Sequence, residues 1–540
     1  MTLTIPPNGK VAVIGAGVSG LSFAYFLNKL RPDINIHIFE KKPHVGGWID
    51  SLTLSTKSGD SILLEKGPRT LRGVSDGSLL IVDILKNLGL AQLIEVIEKS
   101  SVANKKYLLD HSRELLQVPD SVQTGAKFLA KSGILKFELL KGFFKEPFVP
   151  QRNDGKDESI ESFFQRRLGS KLLTNNVMSA VLHGIYAGDI SKLSVRTVLP
   201  KVVELENEKG SIFKTLYARF REKKEKEATL PQALKEYEDM ISPESNLTQL
   251  SSELKKFPML KLLNGLQEFP RKIEEYLTKQ NKVHFHFRSN ITSVSPKGEL
   301  AVEGEEAQKF HHIRSTIYTH ELARLLPKES SELSDTLARL QYVNVFLVNI
   351  YSPKVELKPK EKQGFGFLVP KGEDGRFEKN PDCLLGVIFD SDVEQNSIKF
   401  IGGEPVENGN ASKITLMMGG HYYNKIQIPS AGINLKIVKK ILSEILKVDL
   451  SESNLIIRDE ESIESKDIQG LKSNDILISY NLHKNCIPQY NVGYGDIKNE
   501  LESWIELNNS KLSFGGMAFG NGIGVPDCVT NALEHALKCK

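Results

Sequence analysis

A strand, a tight turn and a helix that together contain three glycines open the chain, and they limit its fold more than any other feature. The stretch reads Lys10-Val-Ala-Val-Ile-Gly15-Ala-Gly17-Val-Ser-Gly20. Gly15 permits the turn, Gly17 lets the main chain approach a pyrophosphate, and Gly20 lets the helix pack closely on the strand. Free amides at the start of the helix suit phosphate oxygens. We expect a Rossmann-like dinucleotide site with contacts from Gly15, Ala16, Gly17, Val18, Ser19 and Gly20.

An acidic residue ends the next apolar run. Ile34 to Phe39 reads as a second strand, and Glu40 follows it, twenty residues after Gly20. An acidic side chain at this spacing binds the hydroxyls of a ribose. Because Glu40 is not basic, the pattern argues against a ligand with a 2′-phosphate.

Two further segments narrow the dinucleotide to FAD. Gly46-Gly47-Trp48 forms a close double-glycine turn, and Gly67-Pro68-Arg69-Thr70 follows it. Nicotinamide dehydrogenases do not need a second glycine turn, whereas this one resembles the segment that passes the FAD ribityl and pyrophosphate in flavoproteins of the glutathione-reductase and amine-oxidase class. Taken alone, the double glycine is equally compatible with an ordinary hairpin turn.

Composition excludes several classes of function. A chain of 540 residues predicts two or three domains. Its 71 basic and 67 acidic residues nearly balance, which argues against a nucleic-acid partner. No apolar run approaches the roughly 20 residues of a membrane-spanning helix, and no signal peptide or presequence is recognised before the first strand. The four cysteines form no CxxC pair, so we expect buried thiols and no metal site.

The alternation of patterns predicts an α/β fold. It comprises a Rossmann-like FAD domain, a substrate domain built on a mixed or antiparallel sheet, and a helical domain. We assign the FAD domain to 1–94, 255–325 and 476–540, the helical domain to 95–254 and the substrate domain to 326–475. A helix is expected at Ser78–Leu90, and strands at 343–351, 364–369, 384–389 and 414–418.

Residues 127–145 have the composition of a segment that lies on an anionic bilayer. Aromatic and aliphatic residues alternate there with Lys127, Lys131, Lys136, Lys141 and Lys145, against the single acid Glu138. An amphipathic helix that packs on the protein core and exposes its lysines to water explains the same pattern.

Blocks along nearly the whole chain resemble one family of flavoproteins, in the same order. They are Gly67-Pro68-Arg69 with Arg72, Arg166 to Gly169, Gly184 to Asp189, Leu193 to Arg196, Gln363 to Gly366 with Val369-Pro370, Met418 to Gly420, and Leu482-His-Lys-Asn-Cys-Ile-Pro-Gln-Tyr490. The last block is the most specific. By these motifs the chain is similar to the eukaryotic protoporphyrinogen IX oxidase family.

The resemblance implies a reaction and its setting. It implies non-covalent FAD and the removal of six hydrogens from protoporphyrinogen IX, with oxygen reduced to hydrogen peroxide. It further implies a homodimer, bound peripherally to an anionic membrane surface. The location implied is the mitochondrial inner membrane, on the side of the intermembrane space, with hand-off of the product to ferrochelatase.

The resemblance also implies site residues. Besides the glycine turn and Glu40, those for FAD are Trp48, Gly67, Pro68, Arg69, Thr70, Ile291, Met517, Ile523, Gly524 and Val525. Those for the substrate are Lys106, Gly184, Ile350 and Met417.

Three of these residues, and two others close to them in sequence, have plain structural alternatives. Lys106 stands where relatives have an arginine for a propionate, but it also suits a solvent-facing position. Ile350 equally suits the core of a strand. His183 invites the role of a base, although lone histidines are more often structural, so no catalytic residue is assigned. Gly522 and Gly524 equally suit a plain loop.

Two rival functions stay open at this point. One is a different flavoenzyme of the amine-oxidase fold, such as a polyamine oxidase or a carotenoid desaturase. The blocks around Gly184 and His483 argue against it. The other is a carrier of prenylated proteins that resembles the Rab GDP-dissociation inhibitors. The intact glycine turns and Glu40 argue against that one.

Overall fold

The protein is described here from a computed structural model. The described residues are 4–57, 59–110, 112–131, 137–152, 154–222, 230–371, 380, 382–406, 409 and 411–539. The predicted membrane segment 127–145 therefore lies partly outside them, including Lys136.

The strands, in chain order, are β1 (Lys10–Ile14), β2 (Asn35–Glu40), β3 (Ser51–Ser55), β4 (Ser61–Glu65), β5 (Leu71–Arg72), β6 (Ile94–Ile97), β7 (Lys106–Leu109), β8 (Leu115–Gln117), β9 (Met259–Leu262), β10 (Val283–Phe287), β11 (Ile291–Val294), β12 (Glu299–Val302), β13 (Gln308–Lys309), β14 (His312–Ser315), β15 (Tyr342–Ser352), β16 (Gly366–Leu368), β17 (Leu384–Ile388), β18 (Ile398–Lys399), β19 (Ser412–Gly420), β20 (Asn454–Asp459), β21 (Asp475–Pro488) and β22 (Leu512–Phe514).

The helices are α1 (Val18–Leu30), α2 (Asp76–Asn87), α3 (Val122–Lys131), α4 (Phe137–Lys145), α5 (Ile160–Leu168), α6 (Ser179–Tyr186), α7 (Val195–Val198), α8 (Pro200–Lys209), α9 (Ile212–Glu222), α10 (Gln232–Met240), α11 (Leu247–Leu254), α12 (Glu268–Thr278), α13 (Thr319–Leu325), α14 (Ser331–Ala338), α15 (Asp390–Gln395), α16 (Ala431–Lys440), α17 (Ser465–Gln469), α18 (Tyr494–Leu507) and α19 (Val525–Leu537).

A five-stranded parallel sheet in the order β10-β2-β1-β14-β22 forms the centre of the dinucleotide domain. Its apolar residues are buried because helices cover it, as is usual for parallel sheets. Helix α1 packs on α19, and α19 packs on α2. Helix α2 begins earlier than the predicted Ser78, because the Ser75 hydroxyl accepts a hydrogen bond from the Ser78 amide and caps the helix. The predicted α/β class and Rossmann-like domain are confirmed.

An eight-stranded mixed sheet in the order β20-β21-β15-β19-β17-β16-β7-β8 forms the second centre. Strand β15 pairs antiparallel with both β19 and β21, whereas β20–β21 and β16–β7 are parallel. All four strands predicted in this part of the chain are present, as β15, β16, β17 and β19. Because side chains alternate along a strand, each face of this sheet has its own set of residues.

Strand pairing places three strands of the eight-stranded sheet outside the expected limits of the substrate domain. Strand β21 lies wholly in the eight-stranded sheet, so the limit at 475/476 would separate this sheet from one of its own strands. Strands β7 and β8 belong to the same sheet, although the pattern assigned them to the helical segment 95–254. The pattern misplaced them because both strands are short, which leaves too few residues to display a period of two.

Helices α3 to α11 form the remaining part of that segment. Its centre contains a fully buried ion pair between Arg167 and Glu146, and Glu206 also accepts a hydrogen bond from Arg167. Among the described residues, no helix has both the length and the apolar character needed to cross a bilayer.

Candidate functional site

The carboxyl ends of the parallel strands form a crevice where the predicted cofactor residues meet. Gly15 follows β1, Glu40 ends β2, and Gly516 lies just after β22. The Ser19 hydroxyl lies close to Gly516, so the first and last segments of the domain face each other. Ligands of open α/β sheets bind at this edge.

Two glycines of the first turn are required by the protein, and one is not. Gly15 has φ of 98°, which favours glycine. A Cβ on Gly20 would overlap the carbonyl oxygen of Gly15, so helix and strand could not approach. A Cβ on Gly17 would lie 3.7 Å from the Cα of Gly47, an ordinary contact. Gly17 is therefore free of packing constraint and leaves room for a ligand.

The start of helix α1 suits a pyrophosphate. Its N-cap residue is Gly17, no side chain caps it, and its first turn contains no acidic residue. The amides there keep their hydrogen-bonding capacity and the positive end of the helix dipole. Glu40 accepts hydrogen bonds from the amides of Ala16 and Lys42, each at 2.8 Å, which fixes the turn beside the ribose position.

The second glycine turn packs directly on the first. The Gly46 amide donates to the Ala16 carbonyl at 3.0 Å, and a Cβ on Gly47 would lie 3.2 Å from the Cα of Gly17. A Cβ on Gly67 would overlap the carbonyl oxygen of Trp48. The three predicted FAD segments of the N-terminal part thus meet in one place, and the exposed Trp48 ring lies at their edge.

Arg69 fixes the Gly67–Thr70 segment to the second sheet. Its guanidinium donates to Asp390 at 2.7 Å and to the Thr415 hydroxyl on β19 at 2.5 Å. The guanidinium is therefore occupied within the protein. A cofactor beside Gly67, Pro68 and Thr70 would therefore be contacted by the main chain and by the other side chains of this half-buried segment.

The other predicted cofactor residues also border the crevice. Ile291 begins β11, two residues after Ser289, whose amide donates to the Glu40 carbonyl at 3.0 Å. Met517 is half-buried just beyond Gly516, and its carbonyl accepts from the Tyr490 hydroxyl. Ile523, Gly524 and Val525 form the start of helix α19, where the Gly524 amide donates to Asp527 at 3.0 Å.

One face of the eight-stranded sheet borders the same region. Met417 on β19 lies directly opposite Leu347 on β15, so the two side chains share this face. Ile350 has the other orientation, since it is fully buried among Val348, Leu416 and other residues of the core behind the sheet. Ile350 therefore occupies the core of its strand, the alternative that the sequence also allowed, and Leu347 is the residue of β15 that shares the face of Met417.

Gly184 and Lys106 lie on the side of the sheet that includes Met417. Gly184 on α6 packs against Leu368, and a Cβ there would come within 2.7 Å of the leucine side chain. The register connects Leu368 through Gly386 to Met417. Lys106 is exposed on β7 and, within the described part of the chain, makes no ion pair. Two strands separate β7 from β19, so Lys106 lies roughly 14 Å from the Met417 strand.

His183 has a structural position. It is buried, its Nδ1 lies 2.7 Å from the Val369 carbonyl oxygen, and its Nε2 lies 3.0 Å from Nε2 of His421. Burial lowers its pKa to about 4. Since both ring nitrogens have partners inside the protein, His183 is not available as a base for substrate.

The four cysteines are free and buried, as expected. The side chains of His312, His535 and Cys539 bring ligand-type atoms within 4.8 Å of one another in the core. Residue spacing gave no signal of this cluster, because the residues come from β14 and the C-terminal end of the chain. The buried Arg314 cation acts on both His535 and Cys539, and it opposes a metal ion there.

Comparison with known proteins agrees with this geometry. The family model described as "Flavin containing amine oxidoreductase" matches residues 18–536. A curated protoporphyrinogen oxidase from Saccharomyces cerevisiae is 37% identical over 99% of this chain and 98% of its own length. One from Schizosaccharomyces pombe is 29% identical over 98% of each chain.

Solved structures agree on the fold. A crystal structure described as a candidate protoporphyrinogen oxidase from Exiguobacterium superposes with a TM-score of 0.66 at 17% identity, over 98% of each chain. From the family model and the full-length relatives, the chain belongs to the flavin containing amine oxidoreductases and, within them, to the protoporphyrinogen oxidase family.

Proposed function

We propose that this chain oxidises protoporphyrinogen IX to protoporphyrin IX, with FAD as cofactor and oxygen as electron acceptor. The observation that carries the proposal is the end-to-end similarity to protoporphyrinogen oxidases. The crevice supports FAD through the free start of α1, the meeting of the two glycine turns, and Glu40 beside the ribose position. The flavin supplies the two-electron chemistry when bound.

The protein's own residues bind and orient the substrate. Met417, Leu347 and Leu368 give the sheet an apolar surface for a flat hydrophobic macrocycle. The missing Cβ of Gly184 lets helix α6 pack closely on Leu368 at that surface. Lys106 at the rim offers a cation to a carboxylate edge, as an unpaired buried carboxylate would be costly. Arg69, bound to Asp390 and Thr415, keeps the Gly67–Thr70 segment next to the same surface.

Turnover of purified protein tests the proposal. Protein that is yellow, and that produces both porphyrin fluorescence and hydrogen peroxide from protoporphyrinogen IX, is the expected result. Colourless protein that binds no flavin would instead indicate a carrier of prenylated proteins. Yellow protein that oxidises polyamines or carotenoids and leaves protoporphyrinogen unchanged would support the rival oxidases.

The proposal extends to a membrane surface formed by α4 and α9. The Phe143 and Phe213 rings, 5.5 Å apart, join the two helices. Phe144 on α4 is 80% exposed and Phe220 on α9 is 82% exposed, with Lys145 and Arg221 as their respective neighbours in sequence. Exposed aromatic residues among cations suit an anionic bilayer. Phe128 of the predicted segment is buried, so α3 also contributes to the core.

The remaining setting is proposed from the family alone. It comprises a homodimer on the mitochondrial inner membrane, facing the intermembrane space, with product passing to ferrochelatase. Size-exclusion chromatography with light scattering tests the dimer, and protease protection of isolated mitochondria tests the side of the membrane.

A further inference from the structure

Helix α6, whose last turn includes Gly184, is joined to the end of β19. Ala187 ends the helix in a left-handed conformation, with φ of 49°. Its carbonyl accepts a hydrogen bond from the His421 amide at 2.8 Å. A Cβ on Gly420 would overlap that same carbonyl oxygen. The main chains of α6 and β19 are therefore in direct contact, only a few residues from Gly184 and Met417.

A pair of buried histidines spans the same junction. His183 belongs to α6 and His421 follows β19 immediately. Their Nε2 atoms lie 3.0 Å apart, and the ring planes are 26° from parallel. Both residues are nearly inaccessible to water. At this distance, one of the two nitrogens must donate a hydrogen and the other must accept it.

The surroundings determine which histidine donates. The Val369 carbonyl can only accept, so the proton of His183 is on Nδ1, 2.7 Å from that oxygen. Burial lowers the pKa of His183 to about 4 and that of His421 to about 3, so both rings are neutral near pH 7. A neutral His183 then has a lone pair on Nε2. Nε2–H of His421 is therefore the donor between the rings.

An acidic residue lies near the pair without a hydrogen bond to it. His421 Nδ1, left as an acceptor, has no hydrogen-bond partner among the described residues and lies 3.9 Å from Asp189 Oδ2. Asp189, in the loop after α6, accepts from Lys425 at 2.7 Å and from the Ser191 hydroxyl. His421 thus contacts the helix, while the loop that follows the helix is held separately by its own ion pair.

We propose that His183 and His421 are positioning residues for the substrate cleft. Their Nε2–H···N hydrogen bond sets the separation between α6, with Gly184, and β19, with Met417. This inference rests on the proposed function, because the cleft is defined by the substrate assigned to it. Loss of the bond lets α6 move away from the sheet, so that the macrocycle is bound less tightly and less uniformly.

Two polar substitutions of His421 distinguish an effect of this hydrogen bond on substrate binding from an effect of side-chain packing. Glutamine places an amide nitrogen near the position of Nε2, so His421→Gln keeps the donor. Asparagine places its amide near the position of Nδ1, so His421→Asn removes the donor. For His421→Asn we expect KM for protoporphyrinogen to rise about tenfold, the ratio that corresponds to 1.4 kcal/mol. For His421→Gln we expect KM close to wild type, with bound FAD unchanged in both variants.

A double-mutant cycle identifies the partner. His183→Asn keeps the donor to Val369 and removes the Nε2 acceptor. If the two rings act through one bond, the effects of His183→Asn and His421→Asn on KM are not additive. Equal KM values for both His421 variants, or additive effects in the cycle, would overturn the inference.

Wild-type protein is measured first, so that failure of the proposed function can be distinguished from failure of the positioning role of the histidines. If the wild type does not oxidise protoporphyrinogen, the proposed function itself fails. If an asparagine variant does not fold, KM of wild type is compared at 25 °C with that of His421→Gln and of His183→Gln. The second variant keeps an acceptor near Nε2. Loss of substrate affinity in both glutamine variants would show that the rings act by packing alone.

Discussion

At the scale of single residues, the structure separates glycines needed for folding from a glycine left free for the ligand. Gly20 lies against the carbonyl of Gly15, whereas Gly17 faces only ordinary contacts. The two positions have the same residue in the sequence motif, but substitutions there should fail in different ways.

Replacement of Gly17 by valine should give folded, colourless protein. The protein itself accommodates a side chain there, but a branched side chain would occupy the space needed by the pyrophosphate. Flavin absorbance per folded chain and the melting temperature are the measurements. Gly20→Val is the matched control, and it should lower stability because helix α1 cannot approach the strand. A Gly17→Val protein with stoichiometric flavin would contradict the assignment. We expect non-covalent binding, so denaturation should release the flavin of the wild type.

Replacement of Lys106 by alanine should raise KM for protoporphyrinogen and leave the flavin content unchanged. The expected loss is about 1.5–3 kcal/mol, the range for a hydrogen bond to a charged group. Lys106→Arg should be tolerated, since it keeps the charge and adds a second parallel hydrogen bond. Steady-state kinetics of both variants are compared with Lys105→Ala. If Lys106→Ala and Lys105→Ala both behave as wild type, another cation binds the propionate.

At the scale of elements, helices α4, α5 and α9 connect the proposed membrane surface to a buried charge network. Arg167 on α5 is bound to Glu146, which directly follows α4, and Glu146 also accepts from the amide of Ile212, the first residue of α9. The exposed aromatic faces of α4 and α9 are therefore held by one buried carboxylate.

Removal of the exposed aromatic residues should weaken binding to anionic vesicles. Phe144→Ser with Phe220→Ser should reduce vesicle binding, since two aromatic side chains no longer enter the interface. Neutralising Lys141 and Lys145 should reduce it most at low salt, because screening already weakens their attraction at high salt. Cosedimentation with phosphatidylserine vesicles measures both. The exposed Leu507, on α18, supplies the control Leu507→Ser. Unchanged binding in all variants would place the membrane surface elsewhere.

Replacement of Glu146 by glutamine should destabilise the protein by about 3 kcal/mol at pH 7, because a buried arginine loses its main partner. Burial alone would raise the pKa of Glu146, but hydrogen bonds from Ser211 and Arg167 outweigh it and leave the pKa lowered. The wild-type stabilisation is therefore complete above the unfolded pKa and is lost as pH falls through the folded value. Urea unfolding at pH 7 and pH 4 should show a smaller difference in the variant. An equal pH difference in both proteins would contradict this.

At the scale of the whole molecule, several histidines are held neutral at two separate buried places, the His183–His421 pair and His312. Burial lowers the pKa of His183 to about 4 and those of His312 and His421 to about 3. The unfolded chain binds protons on these residues near pH 6.5, well above the folded pKa values. Between these values the unfolded state holds more protons, so stability falls as the pH falls.

The protein should therefore lose stability from about pH 6.5 downwards, with each buried histidine adding up to about 1.4 kcal/mol per pH unit. His312→Gln should flatten this dependence, since the variant has one group fewer to protonate. The neighbouring His311 is exposed, and His311→Gln is the control for replacing a histidine outside the core. Denaturant midpoints from pH 7 to pH 5 give the slopes. A slope that His312→Gln does not change would contradict the buried neutral state.

The sequence by itself determined the dinucleotide domain and predicted which residues border its cofactor crevice. The glycine spacing, the acidic residue after β2 and the alternating strands are local signals, because turn geometry, helix starts and strand periods depend on neighbouring residues. The motifs shared with the protoporphyrinogen oxidase family extended the prediction from the cofactor to the substrate. By contrast, the sequence left open whether Ile350 belongs to the cleft or to the core, because the face that each residue of β15 occupies depends on its pairing with β19.

Only the tertiary structure decided the contacts between distant segments. Arg69 binds Asp390 across 321 positions of chain, and His183 meets His421 across 238. No periodicity encodes such pairs, since they form where separate elements pack. The same holds for β7 and β8, whose few residues show no pattern until β16 provides a partner strand. Local chemistry thus specifies what each segment can bind, and packing specifies which segments bind it together.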